Sequence, residues 1–340
     1  MEKMLRNSKR SAIEIQFNWI FVLIAGTVIF VFIISLILSQ KKDVDVQISQ
    51  NVLKQLATNI KGRQQLSDTF SEMETPQTTF TFTCDNKDLI ADFKISDSQR
   101  EPLPLEIIFA PKEFKTQKLK IWTLDFNMPF TVTRFIYVIP SNMIFIIYNS
   151  TPASQQYAIE IYNALPANIT KRYVDRESNL QNILKGFKNY RIICFNDCPS
   201  SDYKFISILP LNSNGHMFSY GKVKYNGVAQ DNANNPYYIG QASLFGAIFS
   251  DDEKYYYCEM SRAFKQFEIK RTLYFERVKL LETDLNAINP SCVPVFALPR
   301  STLESMKNKK LEDTRSLYEL SNTLMRDNND LTFKGCPLIY

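Results

Sequence analysis

Histidine is almost absent from the sequence, since His216 is the only one in 340 residues. Zinc sites built on imidazole and Ser-His-Asp triads both need histidine, so neither kind of site is expected. Glycine is also scarce, at nine residues, and no GxGxxG or GxxxxGK[ST] loop occurs, which excludes the usual phosphate-binding motifs. His216 follows Gly215 in a polar stretch and is expected to be exposed. The sequence therefore predicts no cofactor, no metal ion and no catalytic residue.

A strong excess of either charge is missing as well. The chain has 40 basic and 35 acidic residues, and its net charge of +5 is spread along the sequence. Nucleic-acid-binding domains usually gather basic residues in one patch, so nucleic acid is not expected as a partner. Apolar residues reach 45% and aromatic residues 13%, which excludes a disordered chain. The length suits one large domain or two ordinary ones.

The longest uncharged run is residues 17–39, FNWIFVLIAGTVIFVFIISLILS. As a helix it would extend ~35 Å, enough to cross a hydrocarbon layer of ~30 Å. It is too long for a cleaved signal peptide, and no A-x-A-like site follows it, so an uncleaved signal-anchor is predicted. The basic residues of 1–16 favour a cytoplasmic amino terminus. We therefore expect a single-pass protein of the cell membrane, with a cytoplasmic leader at 1–16, a transmembrane helix at 17–39 and an extracytoplasmic remainder.

The cysteines support this orientation, because an even number lies after the apolar run and disulfides form outside the reducing cytosol. Two helices packed as an antiparallel hairpin would place Cys258 beside Cys336. The C-x3-C pair could close locally, leaving the other two cysteines for each other. Zinc is a weaker reading of C-x3-C, because no histidine or second close pair is near. The six disulfide candidates are Cys84, Cys194, Cys198, Cys258, Cys292 and Cys336.

The pattern of apolar and polar residues divides the remaining chain into three parts. Residues 40–75 are predicted to form a stalk helix, with apolar residues at helical spacings and Pro76 ending it. Residues 76–249 begin with alternating strands and continue with strands and helices in turn, which predicts βαβ units and a parallel or mixed sheet. Residues 250–340 predict a helical hairpin that starts at a Ser250-x-x-Glu253 capping box. The expected fold is thus an α/β or α+β ectodomain with a carboxyl-terminal helical hairpin, on one transmembrane helix.

Polar residues follow the predicted parallel strands. Ligands of open α/β sheets bind beyond the carboxyl ends of such strands, so these residues form a candidate ligand site. Asn, Ser, Thr and Asp are also ordinary turn and cap residues, and that alternative remains open. Asn149 and Asn168 also begin Asn-x-Ser/Thr sequences, which are compatible with glycosylation. The candidate ligand residues are Asn149, Thr151, Asp175, Asn196 and Asp197.

Two segments carry a resemblance to known proteins. Residues 15–26, IQFNWIFVLIAG, after a short basic leader, and residues 107–130, IIFAPKEFKTQKLKIWTLDFNMPF, resemble uncharacterised archaeal single-pass membrane proteins. This resemblance implies an extracytoplasmic domain and no particular activity. The arrangement of Glu14 beside an apolar helix that continues into a stalk also resembles that of type IV pilins. Residues 9–14 lack the glycine-containing processing site of that family, and the βαβ middle is unlike a small pilin head.

Three functions follow as hypotheses. The first is a membrane-anchored extracytoplasmic protein with a structural or protein-interaction role, whose partner is another protein or a copy of itself. The second is a membrane-tethered enzyme or ligand receptor that uses the polar edge of the α/β sheet. The third is a pilin-like filament subunit.

Overall fold

The computed structural model describes residues 2–63, 68–96, 98–212, 216–226 and 236–340. Within the first helix, α1 (Glu2–Arg63), the side chains at 2–18, 20, 38–46, 48 and 63 lie outside this description. The chain divides into two compact units, Met1–Val52 and Leu53–Tyr340.

The first unit is helical throughout its described length. Among the described residues, no helix is both long and apolar enough to cross a membrane. This finding contradicts the predicted transmembrane helix at 17–39, and with it the predicted cell-membrane location and single-pass topology. The leader at 1–16 and several ends of the predicted segment, namely Phe17, Asn18, Ile20, Leu38 and Ser39, belong to the side chains outside the description.

The predicted stalk helix at 40–75 is too long at its carboxyl end. Helix α1 ends at Arg63, and strand β1 (Phe70–Asp85) occupies the last part of the predicted stalk. Pro76 lies inside β1, where the pairing with the neighbouring strand shifts register between Glu74 and Thr78. Proline cannot donate a ladder hydrogen bond, and such an irregularity is where a strand tolerates it. The proline therefore marks a bulge and not a helix end.

The first sheet, sheet A, has six strands, and the pairing of β4 with β6 is parallel whereas the other pairings are antiparallel. In sheet order the strands are β3 (Glu101–Pro102), β2 (Ile90–Ile95), β1, β5 (Glu113–Asn127), β6 (Thr131–Pro140) and β4 (Ile107–Phe109).

The second sheet, sheet B, also has six strands and contains the parallel strands expected from the alternation of strands and helices. Strands β8, β7, β9 and β10 are parallel to one another, and β11 and β12 complete the sheet in antiparallel fashion. In sheet order the strands are β12 (Tyr237–Ile239), β11 (Tyr220–Tyr225), β10 (Phe205–Pro210), β9 (Asn189–Phe195), β7 (Met143–Tyr148) and β8 (Lys171–Val174).

Two short helices connect strands of sheet B. Helix α2 (Gln155–Ala164) follows a 3-10 turn at Pro152–Ser154 and connects β7 to β8, and α3 (Glu177–Leu184) connects β8 to β9. The side chains of α3 pack on one face of sheet B, and those of α2 contribute to the main core with its other face.

Helix α4 (Gly240–Phe249) lies between the two sheets. Every side chain from Ala242 to Phe249 is buried. The ring of Phe245 packs edge-on against Trp122 of sheet A, and Phe249 packs against Phe145 of sheet B. A helix that is apolar on all sides needs cover on all sides, and the two sheets provide it.

The carboxyl-terminal region is not the predicted two-helix hairpin. Helix α5 (Glu253–Ile288) matches the predicted first arm, but the second arm is divided into α6 (Ala297–Ser305) and α7 (Thr314–Phe333). Asp252, and not Ser250, caps α5 by accepting a hydrogen bond from the Tyr255 backbone N–H at 2.8 Å.

The division of the second arm into two helices gives a disulfide pairing that differs from the predicted one. The bonds are Cys84–Cys258, Cys194–Cys198 and Cys292–Cys336. The local C-x3-C pair is confirmed, whereas the Cys258–Cys336 and Cys84–Cys292 pairs are wrong. Because the chain turns back once more before α7, Cys336 lies near the carboxyl end of α5 and not near its start. The predicted fold class, a β-rich part followed by βαβ units and a helical hairpin on one transmembrane helix, is corrected as well. The second unit has two mixed sheets around a buried helix, and no helix among the described residues is long and apolar enough to cross a membrane.

Candidate functional site

Asn149 lies at the predicted polar edge of sheet B, but the fold uses its side chain internally. The residue is 6% exposed. Its Nδ2 donates to the Tyr173 hydroxyl at 3.0 Å, and its Oδ1 accepts from the Ser154 hydroxyl. Thr151 Oγ1 lies 3.0 Å from the same Ser154 oxygen instead of capping the helix. These contacts bring Asn149 and Thr151 together as a structural network around the start of α2.

The other three predicted residues lie at the same edge without joining that network. Asp175 follows β8, and Asn196 and Asp197 follow β9, all with exposed side chains. Asn196 adopts a left-handed backbone with φ of 43°, which asparagine tolerates. The Cys194–Cys198 bond spans this turn. Within the described part of the chain, none of the three side chains makes a hydrogen bond or ion pair. A ligand site at this edge remains a prediction.

A cleft of about 510 Å³ lies at the opposite end of the parallel strands, beside the first residues of β7 and β9. Its volume falls within the range of ~300–1,000 Å³ typical of small-molecule sites. We call it the Arg191 cleft. The lining residues are Pro111, Lys112, Glu113, Phe114, Pro140, Met143, Lys188, Asn189, Tyr190, Arg191, Lys204, Asn226, Asp251 and Asp252.

Arg191 is the most buried charged residue of this cleft, at 6% exposure. Its guanidinium forms an ion pair with Asp251 Oδ1. The other carboxylate oxygen of Asp251 accepts the Lys112 backbone N–H at 2.8 Å, so both oxygens are engaged. Arg191 Nε is buried and has no hydrogen-bond partner among the described residues. The sequence signal for this position is a charged residue inside the apolar strand NYRIICF.

Another ion pair, in which both partners are buried, lies on α5 at Glu259 and Arg262. Arg262 Nη1 donates to Glu259 Oε2 at 2.7 Å, and its Nη2 donates to the Leu103 carbonyl. Glu259 is fully buried, and burial raises its pKa to about 7, outweighing the opposing effect of Arg262. Glu259 Oε1 has no hydrogen-bond partner within the described ranges. This pair lies in the packing of α5 against sheet A and is a titratable structural element.

The first unit offers a different kind of surface. Fourteen large apolar side chains between residues 19 and 37 of α1 are 40% to 74% exposed, and we call them the apolar helix surface. They are Trp19, Phe21, Val22, Leu23, Ile24, Val28, Ile29, Phe30, Val31, Phe32, Ile33, Ile34, Leu36 and Ile37.

Comparison with known proteins gives no family to which these sites belong, since no family model, curated protein or solved structure matches the chain. The resemblances to archaeal membrane proteins and to pilins therefore stay predictions. In the described ranges, no three His, Cys, Asp or Glu side chains are grouped closely enough to hold a metal ion.

Proposed function

We propose that the protein has a structural, protein-interaction role and assembles with copies of itself through the apolar helix surface. The observation that carries this proposal is the exposure of those fourteen large apolar side chains on one stretch of α1. Monomeric proteins rarely expose contiguous apolar patches larger than ~600 Å², and larger patches mark interaction sites. At about 100 Å² for each exposed side chain, this surface exceeds the ~800 Å² that each partner buries in a stable complex.

The distribution of these side chains favours several copies over two. Val28 to Ile34 are seven consecutive large apolar residues. Successive residues of a helix are rotated by about 100°, so seven of them point to every side. A helix that is apolar on all faces has to be surrounded to be covered, and one partner helix covers only one side. We therefore expect three or more α1 helices to associate.

A filament subunit of the pilin type is one form that this assembly can take. The support is the length of α1, 62 residues, and the presence of three disulfide bonds in the second unit. Electron microscopy of the assembled protein distinguishes the two forms, because a filament subunit gives open fibres and a closed bundle gives particles of one size.

Sedimentation velocity of the full chain at micromolar concentration tests the proposal. We expect a species of at least three chains for the natural sequence and a smaller species for a variant with one polar stripe, because the stripe removes one of the apolar faces that the assembly needs. A matched control changes three exposed apolar residues of α5 and should leave the assembly intact. The test variant is Phe30→Gln, Ile33→Gln, Ile37→Gln, and the control is Leu273→Gln, Leu280→Gln, Ile288→Gln.

Two outcomes would overturn the proposal. One is a natural chain that is monomeric at these concentrations, whether it remains free or co-floats with added lipid vesicles in a flotation assay. The other is a control variant that dissociates as fully as the stripe variant, because the apolar helix surface would then have no special role.

A further inference from the structure

We propose that the Arg191 cleft binds a small organic anion, a phosphate or carboxylate with an apolar body. This function goes beyond self-assembly through α1 and uses residues of the second unit alone. Its basis is the set of positive groups that the cleft leaves without a partner, together with the apolar side chains on its wall.

The acidic groups of the cleft are largely occupied by protein contacts. Asp251 is bound by the Arg191 guanidinium and by the Lys112 backbone N–H. Asp252 accepts the N–H of Tyr255 as the cap of α5. Both carboxylates therefore act within the fold, and their capacity to bind a cationic ligand is reduced.

The lysine side chains of the cleft, unlike the two aspartates, are not held by other groups of the described protein. Among the described residues, the Lys112, Lys188 and Lys204 side chains make no hydrogen bond or ion pair, and all three are exposed around the cleft. Glu113 is the one other acidic residue in the lining. A concave surface with excess charge of one sign concentrates its field and attracts the opposite charge. The cleft is therefore suited to an anion.

Arg191 supplies an independent indication of a ligand. Its residue is more than nine-tenths buried, and its Nε lacks a partner in the described structure. Buried polar groups are normally satisfied, so such an atom calls for a partner. A phosphate or carboxylate accepts such an N–H through a charge-assisted hydrogen bond. Because Nη2 is held by Asp251, binding would require the Arg191 side chain to turn Nε toward the cleft while this ion pair is kept.

The rest of the wall indicates what the anionic group is attached to. Pro111, Phe114, Pro140 and Met143 provide an apolar side, and Tyr190 adds an aromatic ring. The cleft is also much larger than an inorganic ion needs. Ligand sites of this size combine an apolar lining with a few polar groups that fix orientation. A ring or short chain bearing one anionic group fits this combination.

Isothermal titration of the full chain with phenyl phosphate, benzoate and neutral benzamide, at constant ionic strength, tests the proposal. We expect saturable binding of at least one anion and none of benzamide. Removing two exposed positive charges should weaken binding by about tenfold, as for two surface ion pairs. The test variant is Lys188→Gln, Lys204→Gln, and the control with two exposed lysines elsewhere is Lys87→Gln, Lys265→Gln.

Arg191→Lys provides a second measurement, because it retains the charge but lacks Nε, and binding should weaken while the circular dichroism spectrum is unchanged. If this variant does not fold, the double lysine variant still decides the matter. Absence of saturable binding of both anions at millimolar concentration, equal binding of benzamide, or equal affinity in the lysine variant and its control would each overturn the proposal.

Discussion

Replacing Glu259 by glutamine should remove a pH dependence of stability that this residue gives the protein. Glu259 is fully buried on α5, and Arg262 is its ion-pair partner. Tyr255, Asp252 and Asp92 are further titratable groups that act in this region. Glutamine has nearly the same shape as a protonated glutamic acid, so Glu259→Gln reproduces the neutral form at every pH.

The magnitude follows from the raised pKa. The folded protein holds the Glu259 proton up to a pKa of about 7, against a usual value of 4.5. Between these pH values the unfolded chain has released a proton that the folded chain retains, so the free energy of unfolding falls as pH rises. At about 1.4 kcal/mol per pH unit, the total loss approaches ~3 kcal/mol. The stabilising effect is fully present below pH 4.5 and is lost by about pH 7.

Urea unfolding followed by near-ultraviolet circular dichroism, at one protein concentration and at pH values from 5 to 8, measures this effect. The natural chain should lose about 2.5 kcal/mol across this range, because part of the effect is already lost at pH 5, and Glu259→Gln should lose much less. Glu276→Gln changes a half-exposed carboxylate of the same helix and should keep the natural slope. Equal slopes for the natural chain and Glu259→Gln would refute the reasoning.

Two further predictions concern the packing of the second unit. Replacing both Cys84 and Cys258 by alanine removes a disulfide bond between residues 174 positions apart. The loop-entropy model predicts a loss of about 5 kcal/mol in the free energy of unfolding, measured by urea titration. A loss below ~1 kcal/mol would contradict this prediction. Gly246→Ala would place a methyl group 2.8 Å from the Phe109 ring and should lower the free energy of unfolding by about 1–3 kcal/mol, measured by thermal unfolding. The control Gly186→Ala places its methyl group 3.9 Å from the nearest atom and should lower the free energy of unfolding much less.

Local sequence patterns were enough for elements that depend on neighbouring residues. The spacing of apolar residues after Glu253 predicts α5 closely, and the strand and helix alternation from Met143 predicts the parallel strands of sheet B. The Cys194–Cys198 bond joins residues four apart and could be inferred from spacing. In each case the interacting groups are close in sequence, so composition and periodicity carry the information.

Helix α4 shows where such patterns fail. Its residues 242–249 are buried on every side, and a short, largely apolar run cannot be assigned by periodicity because no polar face marks its phase. Its place between two sheets depends on partners far away in sequence, such as Trp122 and Phe145.

The candidate sites show the same difference between features that depend on adjacent residues and features that depend on distant ones. The sequence alone determined the apolar run in α1 and the order of most strands and helices, because these are properties of adjacent residues. It also suggested a membrane anchor that the described structure contradicts. Only the tertiary structure decided which cysteines pair and that the Asn149 side chain is hydrogen-bonded within the fold. It also decided that Arg191 pairs with Asp251, which lies 60 residues away in sequence. Burial, distance and unmet hydrogen bonds arise only when distant segments pack, and they separate a structural polar residue from a candidate binding residue.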